Sequence, residues 1–209
     1  MTGADPDAVQ GVYCRQAARW DRERAKGLRI ERAWLDRLCS GLPPGAAVLD
    51  IGCGSGLPIA AALVRRGYAV TGIDFAAPML DLARRNVPGA TFALADMRTL
   101  ALGREFQAVV AWDSFFHLAP GGQAAMFPVL AHHLAPGGRL LLTTGPDASE
   151  VTGHVGGEPV YHASLAPRDY RRHMAANGIK PVDFRPGDPG ADFHSVWLAE
   201  KLASSRQNS

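Results

Sequence analysis

A turn of alternating glycines stands directly after a carboxylate, and the two together define the chemistry available to this chain. Val48-Leu49-Asp50-Ile51 reads as a buried strand, followed by Gly52-Cys53-Gly54-Ser55-Gly56. Glycines carry no Cβ, so a ligand can lie directly against the backbone of such a turn. Pro58 suits the first turn of a helix, read over about 57–66, whose free N–H groups face the same ligand. Asp50 would repel a pyrophosphate, but it can hold an ammonium group. The third glycine of the dinucleotide fingerprint is absent from its usual offset. These features describe a cradle for a ligand without phosphates, with Cys53 as a small apolar member of the turn.

A second carboxylate, Asp74, ends the next predicted strand, 22 residues after Gly52. That is close to the ~20 residues separating a glycine turn from the acid that grips a ribose diol. A carboxylate can accept from both hydroxyls at once. Asp74 can equally cap the helix that follows it. Phe75 lies next, beside a base or in the core, and Met79 marks the inner face of the same helix. Farther on, Trp112-Asp113-Ser114-Phe115-Phe116-His117 closes the fourth strand. His117 has the right ordinary pKa for a general base, and it can also simply bond its own loop. His162, with Tyr161 beside it, is the alternative acid–base candidate.

The elements that must hold these groups alternate. Two helices over about 7–40 precede the first strand, and the first of them carries Tyr13, Trp20 and Arg24. Asp5 or Asp7 can cap it. Strands are read at 68–73, 90–94, 106–111 and 140–144, with helices between them. The helix opening at Gly121-Gly122 contains Pro128, expected near its start or at a kink. Residues 145–166 read as an irregular, glycine-rich run with a short hairpin, forming part of an acceptor pocket. A helix from Pro167 to Ala176, strands at 179–184 and 193–198, and a frayed tail over 201–209 complete the chain. The pattern is an α/β doubly wound, mostly parallel sheet in a single domain (1–209), with a helical cover over about 7–40 and a core over 46–201.

Composition narrows the function. Of 209 residues, 47% are hydrophobic and 20% charged, the profile of an ordinary globule, and the net charge of +2 offers no bulk attraction to nucleic acid or an anionic membrane. The three cysteines, Cys14, Cys39 and Cys53, lack C-x-x-C spacing. His132 and His133 are adjacent and point to different faces, so no metal site is expected. The amino terminus has neither the basic region nor the apolar run of a signal peptide. A cytoplasmic monomer or homodimer follows from this reading.

Asp50-Ile51-Gly52-Cys53-Gly54-Ser55-Gly56 after an apolar strand resembles motif I of the class I S-adenosylmethionine-dependent methyltransferases. The resemblance runs from about Tyr13 to Lys201 and includes the turn Leu134-Ala135-Pro136-Gly137-Gly138-Arg139-Leu140. It implies a Rossmann-like seven-stranded sheet with an antiparallel last strand, and S-adenosyl-L-methionine as cofactor with S-adenosyl-L-homocysteine as product. It further implies that Asp50 and the loop amides of Gly52, Cys53, Gly54 and Gly56 hold the methionyl part, and Asp74 the ribose. Asp96 would accept from the adenine amino group, with Met97 against the base, although Asp96 can also cap a turn. Trp112 and Asp113 would line the pocket. Tyr13 and Trp20 either pack the cover or close over the cofactor, and Arg24 meets its carboxylate. The expected reaction is methyl transfer to an oxygen or nitrogen of a small molecule, less readily to carbon. The absence of D-P-P-Y or N-P-P-Y disfavours amino methylation of DNA bases by the route those motifs serve, and no nucleic-acid partner is expected. A non-catalytic S-adenosylmethionine-binding protein and a nicotinamide-dependent oxidoreductase are the competing readings.

Overall fold

The structure, a computed structural model, describes residues 4–203. The outer part of the expected frayed tail (204–209) and the first three residues of the amino terminus lie outside it. In chain order the elements are α1 (Val9–Arg24), α2 (Arg32–Cys39), β1 (Ala47–Ile51), α3 (Ile59–Arg65), β2 (Ala69–Asp74), α4 (Ala77–Asn86) and β3 (Thr91–Leu94). They continue with β4 (Phe106–Ala111), α5 (Pro120–His133), β5 (Leu134–Thr144), β6 (Ser149–Val155), β7 (Glu158–Ser164), α6 (Pro167–Ala176), β8 (Ile179–Asp188) and β9 (His194–Lys201).

Seven strands form one sheet in the order β3-β2-β1-β4-β5-β9-β8. The first five are parallel, and β9 enters antiparallel between β5 and β8. Strand β1 has neighbours on both sides and is buried on both faces, which explains its continuous apolar run. Because strand side chains alternate, Leu49 and Ile51 of β1 and Val109 of β4 enter one layer with Phe115, Phe127, Tyr170 and Trp197. Val48 and Val110 enter the other, with Trp34, Leu35, Leu38 and Leu63. Strand order reverses between β1 and β4, and the carboxyl ends of these strands open a crevice there.

Helix α1 lies over that crevice. Its buried Val9, Val12, Tyr13 and Ala17 pack on Met79 of α4 and on Val155, Val160, Tyr161 and Ala163 of the β6–β7 pair. Burying Val9 and Val12 stabilises the cover by about 1.5–3 kcal/mol each. Polar ties add direction: Gln10 Nε2 donates to the Phe75 carbonyl at 2.6 Å, and Gln16 and Arg15 both reach Glu158. A short turn at Pro6–Ala8 precedes α1, and Asp5 caps it by accepting from the Asp7 N–H at 2.9 Å.

The structure departs from the sequence reading in several places, including β8 and β9, which run on to Asp188 and Lys201, and α3, which starts at Ile59 with Pro58 as its N-cap. The run at 145–166, expected to be irregular with a short hairpin, is built on a longer two-stranded antiparallel hairpin with seven residues in each strand. Gly156 and Gly157, both at positive φ (62° and 88°), form its two-residue turn, a conformation that matches the right-handed twist of the strands. Strand β5 starts at Leu134 because Leu134 already pairs with Phe106, ahead of the regular register that begins at Arg139. Pro128 sits well inside α5, not near its start.

Candidate active site

The crevice is a cavity lined by residues from the ends of β1, β2 and β4, the turn after β3 and helix α1. The glycine turn sets its floor. Gly52 has φ 73°, and a Cβ there would lie 2.3 Å from Ser114 Cβ, because the loops after β1 and β4 press together. Ser114 Oγ fastens this contact by donating to the Ile51 carbonyl at 2.7 Å. Gly54, at φ 54°, passes under Trp20, with its virtual Cβ 3.3 Å from the indole nitrogen. Only glycine combines this backbone with this proximity. Gly56 serves packing instead: it faces Val87, Ala83 and Phe92 between helices and does not line the cavity.

Two carboxylates meet above this floor. Asp50 is 3% exposed, lines the cavity, and accepts no hydrogen bond from any described residue. Burial, reinforced by the charge of Asp74, pushes its pKa up to about 7. A buried carboxylate in this situation requires a cation or a proton. Asp74 ties two loops and is not the helix cap it could have been: the Gly54 N–H donates to Oδ2 at 2.9 Å and the Ala76 N–H to Oδ1 at 2.8 Å, but Ala76 is itself the N-cap of α4, which has no side-chain cap. Burial raises its pKa to about 6 despite those amides. Each of its oxygens retains a lone pair for a further donor.

Asp96 caps the short turn after β3 through the Arg98 N–H at 2.9 Å and pairs with the Arg98 guanidinium at 2.7 Å. Arg98 holds this carboxyl below its usual range. Arg98 also reaches Asp7 at 3.4 Å and so links the cover to the cavity rim. Phe75, Met79, Met97 and Trp112 supply apolar lining, and Trp112 Nε1 is buried without a partner among the described residues.

At the carboxyl end of β4, Asp113 occupies the left-handed region at φ 54°, costly for a residue with a Cβ. Its carboxylate lies 2.7 Å from His194 Nε2 and 3.7 Å from Arg24 Nη2. Burial alone would raise the Asp113 pKa, but the His194 contact holds it below the usual range. The same contact outweighs burial at His194 and lifts its pKa to about 9. Arg24 is further anchored by the buried Glu31 at 2.6 Å. His194 escaped the sequence reading, although the left-handed pair Asp192 and Phe193 that delivers it lies in a Pro-Gly-Ala-Asp turn.

His117 is buried beneath Tyr13. Its Nδ1 is 2.9 Å from the Tyr161 carbonyl and its Nε2 is 2.8 Å from the Tyr13 hydroxyl. Burial is the main force lowering its pKa to about 4. Neither nitrogen is open, which argues against its expected service as a general base. His162 lies behind His117, with ring centroids 4.9 Å apart and planes tilted by 60°, and does not line the cavity. Nor do the other residues of 145–166, so the expected acceptor loop is a buttress for α1 and His117. The remaining expected site residues, from Tyr13, Trp20 and Arg24 through Cys53 to Asp113, share the one cavity, joined by Asp7, Gln10, Arg98 and Leu118, which the sequence reading left out.

Residues 48–138 match the family of methyltransferase domains. Over 100 residues the chain is 39% identical to a dTDP-3-amino-3,6-dideoxy-alpha-D-glucopyranose N,N-dimethyltransferase of Streptomyces fradiae, covering 46% of this chain and 38% of that one. An arsenite methyltransferase of Halobacterium salinarum is 29% identical over 180 residues, covering 78% and 44%. The chain thus spans less than half the length of these relatives. Among solved structures, the 1,6-didemethyltoxoflavin-N1-methyltransferase of Burkholderia thailandensis, bound to its substrate and S-adenosylhomocysteine, superposes with a TM-score of 0.72 at 19% identity, covering 97% of this chain and 92% of that one. The fold is that of the Rossmann-like methyltransferases.

Proposed function

We propose that this chain, a class I methyltransferase by its fold and by the domain its glycine turn opens, transfers a methyl group from S-adenosyl-L-methionine to an oxygen or nitrogen of a small molecule. The observation that carries the reading is Asp50: a buried carboxylate with no partner among the described residues, facing a cavity beside a glycine cradle. It fits the ammonium end of an amino-acid-bearing nucleoside. The orphaned Trp112 Nε1 offers a second unmet need at the same wall.

When bound, the cofactor supplies an activated methyl on a sulfonium. The protein's own residues bind, orient and exclude water. Asp50 would hold the methionyl ammonium above the glycine turn, whose Gly52, Cys53 and Gly54 N–H groups are spent on the Ile73 carbonyl and Asp74, and Arg24, steadied by Glu31 and Asp113, would receive the carboxylate. Asp74 keeps an acceptor lone pair on each oxygen for a ribose hydroxyl. Met97, Phe75 and Met79 enclose the base, with Asp96 at its edge. Tyr13 and Trp20 on α1 close the cavity from above, so the acceptor meets the methyl in a dry, aligned site, where most of the rate enhancement for such a transfer arises. The setting is cytoplasmic and the acceptor a free metabolite, not nucleic acid.

Calorimetry with S-adenosylhomocysteine and with NAD tests the cofactor, and transfer from methyl-labelled S-adenosylmethionine to a metabolite extract tests the activity. Tight binding of the homocysteine product with none of NAD is the expected result. The reverse preference makes the protein an oxidoreductase, and binding with no transfer makes it a non-catalytic cofactor-binding protein.

A further inference from the structure

Resting on the methyltransferase reading above, we infer that the acceptor is an amine, which presents an N–H donor to the Tyr13 hydroxyl oxygen. The Tyr161 carbonyl, at one end of a chain of hydrogen bonds, can only accept. At 2.9 Å from it, His117 Nδ1 must carry its hydrogen. In the neutral ring Nε2 then bears a lone pair, so the Tyr13 O–H, 2.8 Å away, must be the donor of that pair. The one hydrogen of Tyr13 is thereby committed. Its oxygen accepts from no described residue, and Tyr13 lines the cavity. A ligand group meeting this oxygen has to donate.

The ring is neutral for a physical reason. It is buried, Tyr161 offers it only a carbonyl, and its pKa lies at about 4, so near neutrality the polarity of the chain cannot reverse.

Charge and the proton distinguish amine from alcohol. The lining holds Asp7, Asp50, Asp74, Asp96 and Asp113 against Arg24 and Arg98. Both guanidiniums are already paired, with Glu31 and Asp96 at 2.6 and 2.7 Å. His194 compensates Asp113 and Arg98 compensates Asp96, so Asp50 and Asp74 are the uncompensated acids nearest the reaction, and they favour a product group that carries the positive charge. A hydroxyl would need a base to take its proton during transfer, and none is free: His117 is committed at both nitrogens, His194 is paired with Asp113, His162 stands outside the lining, Asp7 and Asp96 are paired with Arg98, and Asp50 and Asp74 are taken up by the cofactor in the reading above. An amine that enters as the free base needs none. Its nitrogen lone pair forms the new N–CH₃ bond, and the electron pair of the broken S–CH₃ bond stays on sulfur. The positive charge passes to nitrogen, whose extra proton then leaves to water. Tyr13 orients the amine by accepting one N–H, which directs the lone pair elsewhere.

Two measurements on the full chain test this. Nitrogen NMR of isotopically labelled histidines in the ligand-free protein near neutral pH reads the His117 tautomer, and Nδ1–H with a bare Nε2 is expected. An Nε2–H tautomer or an imidazolium overturns the assigned polarity. Incubation with S-adenosylmethionine labelled in its methyl carbon and a metabolite extract of the host then identifies the product's methyl by its carbon shift. N-methyl product supports the proposal, with Tyr13→Phe lowering kcat/KM about ten- to hundredfold while homocysteine-product affinity stays within about threefold. An O- or C-methyl product overturns it and leaves methyl transfer standing. No labelled product at all overturns methyl transfer itself, and the amine assignment with it.

Discussion

Cofactor affinity should depend steeply on pH, because the carboxylate assigned to the ammonium is half protonated near neutrality before anything binds. Burial and the neighbouring Asp74 place the Asp50 pKa at about 7, and burial places that of Asp74 at about 6. An ammonium beside Asp50 and hydroxyls donating to Asp74 both select the ionised forms, so binding expels protons and strengthens as pH rises. Affinity for S-adenosylhomocysteine should reach a plateau near pH 8 and fall about twentyfold, or about 1.8 kcal/mol, by pH 6. Titration calorimetry in buffers of different ionisation enthalpy should detect about half a proton released per ligand near pH 7. Asp50→Asn should lower plateau affinity about tenfold or more, the worth of a charge-assisted hydrogen bond. The variant should keep only the weak slope due to Asp74, about twofold over the same interval. A wild-type affinity that is flat from pH 6 to 8, or an Asp50→Asn protein with the full slope, refutes the assignment of Asp50 to the ammonium.

Stability should respond at three other places. His194 has a raised folded-state pKa, so its contribution is complete below its unfolded value near 6.5 and is lost as pH climbs through about 9. Melting temperature should fall over that window by the equivalent of about 2 kcal/mol after allowance for solvent screening, and His194→Gln should flatten the profile. Gly52→Ala places a methyl against Ser114 at a positive φ, and urea unfolding should register a loss of about 2–4 kcal/mol. Gln123 is fully buried, donates to the Leu118 and Ala163 carbonyls at 2.8 Å each and accepts from the Tyr170 hydroxyl at 2.5 Å. Gln123→Leu takes this partner from the Leu118 carbonyl and the Tyr170 hydroxyl, while the Ala163 carbonyl keeps the Ser164 hydroxyl at 2.8 Å, and it should cost about 2–4 kcal/mol in the same assay.

What was readable in the sequence and what was not follows from how far each signal reaches along the chain. The glycine turn, Asp50 and Asp74 are local: strand, turn and helix start lie within a few residues, and the parallel sheet follows from their repetition. The Tyr13–His117 contact joins residues 104 apart, and no periodicity encodes it. It needs the β6–β7 hairpin to push α1 and the turn after β4 together. A short hairpin is expected in the run at 145–166, and what the surrounding glycines masked is its full length about the Gly156-Gly157 turn. His194 is the most instructive case, because a usable argument existed. An antiparallel strand begins at the edge where its parallel neighbours end. If the last strand is antiparallel, its first residue must therefore lie at the carboxyl edge of the sheet, beside the cavity. The pairing of Thr144 with Ser195 puts His194 there. The residue opening such a strand can thus be nominated for the site from topology alone, and a histidine in that place has a carboxylate from β4 within reach.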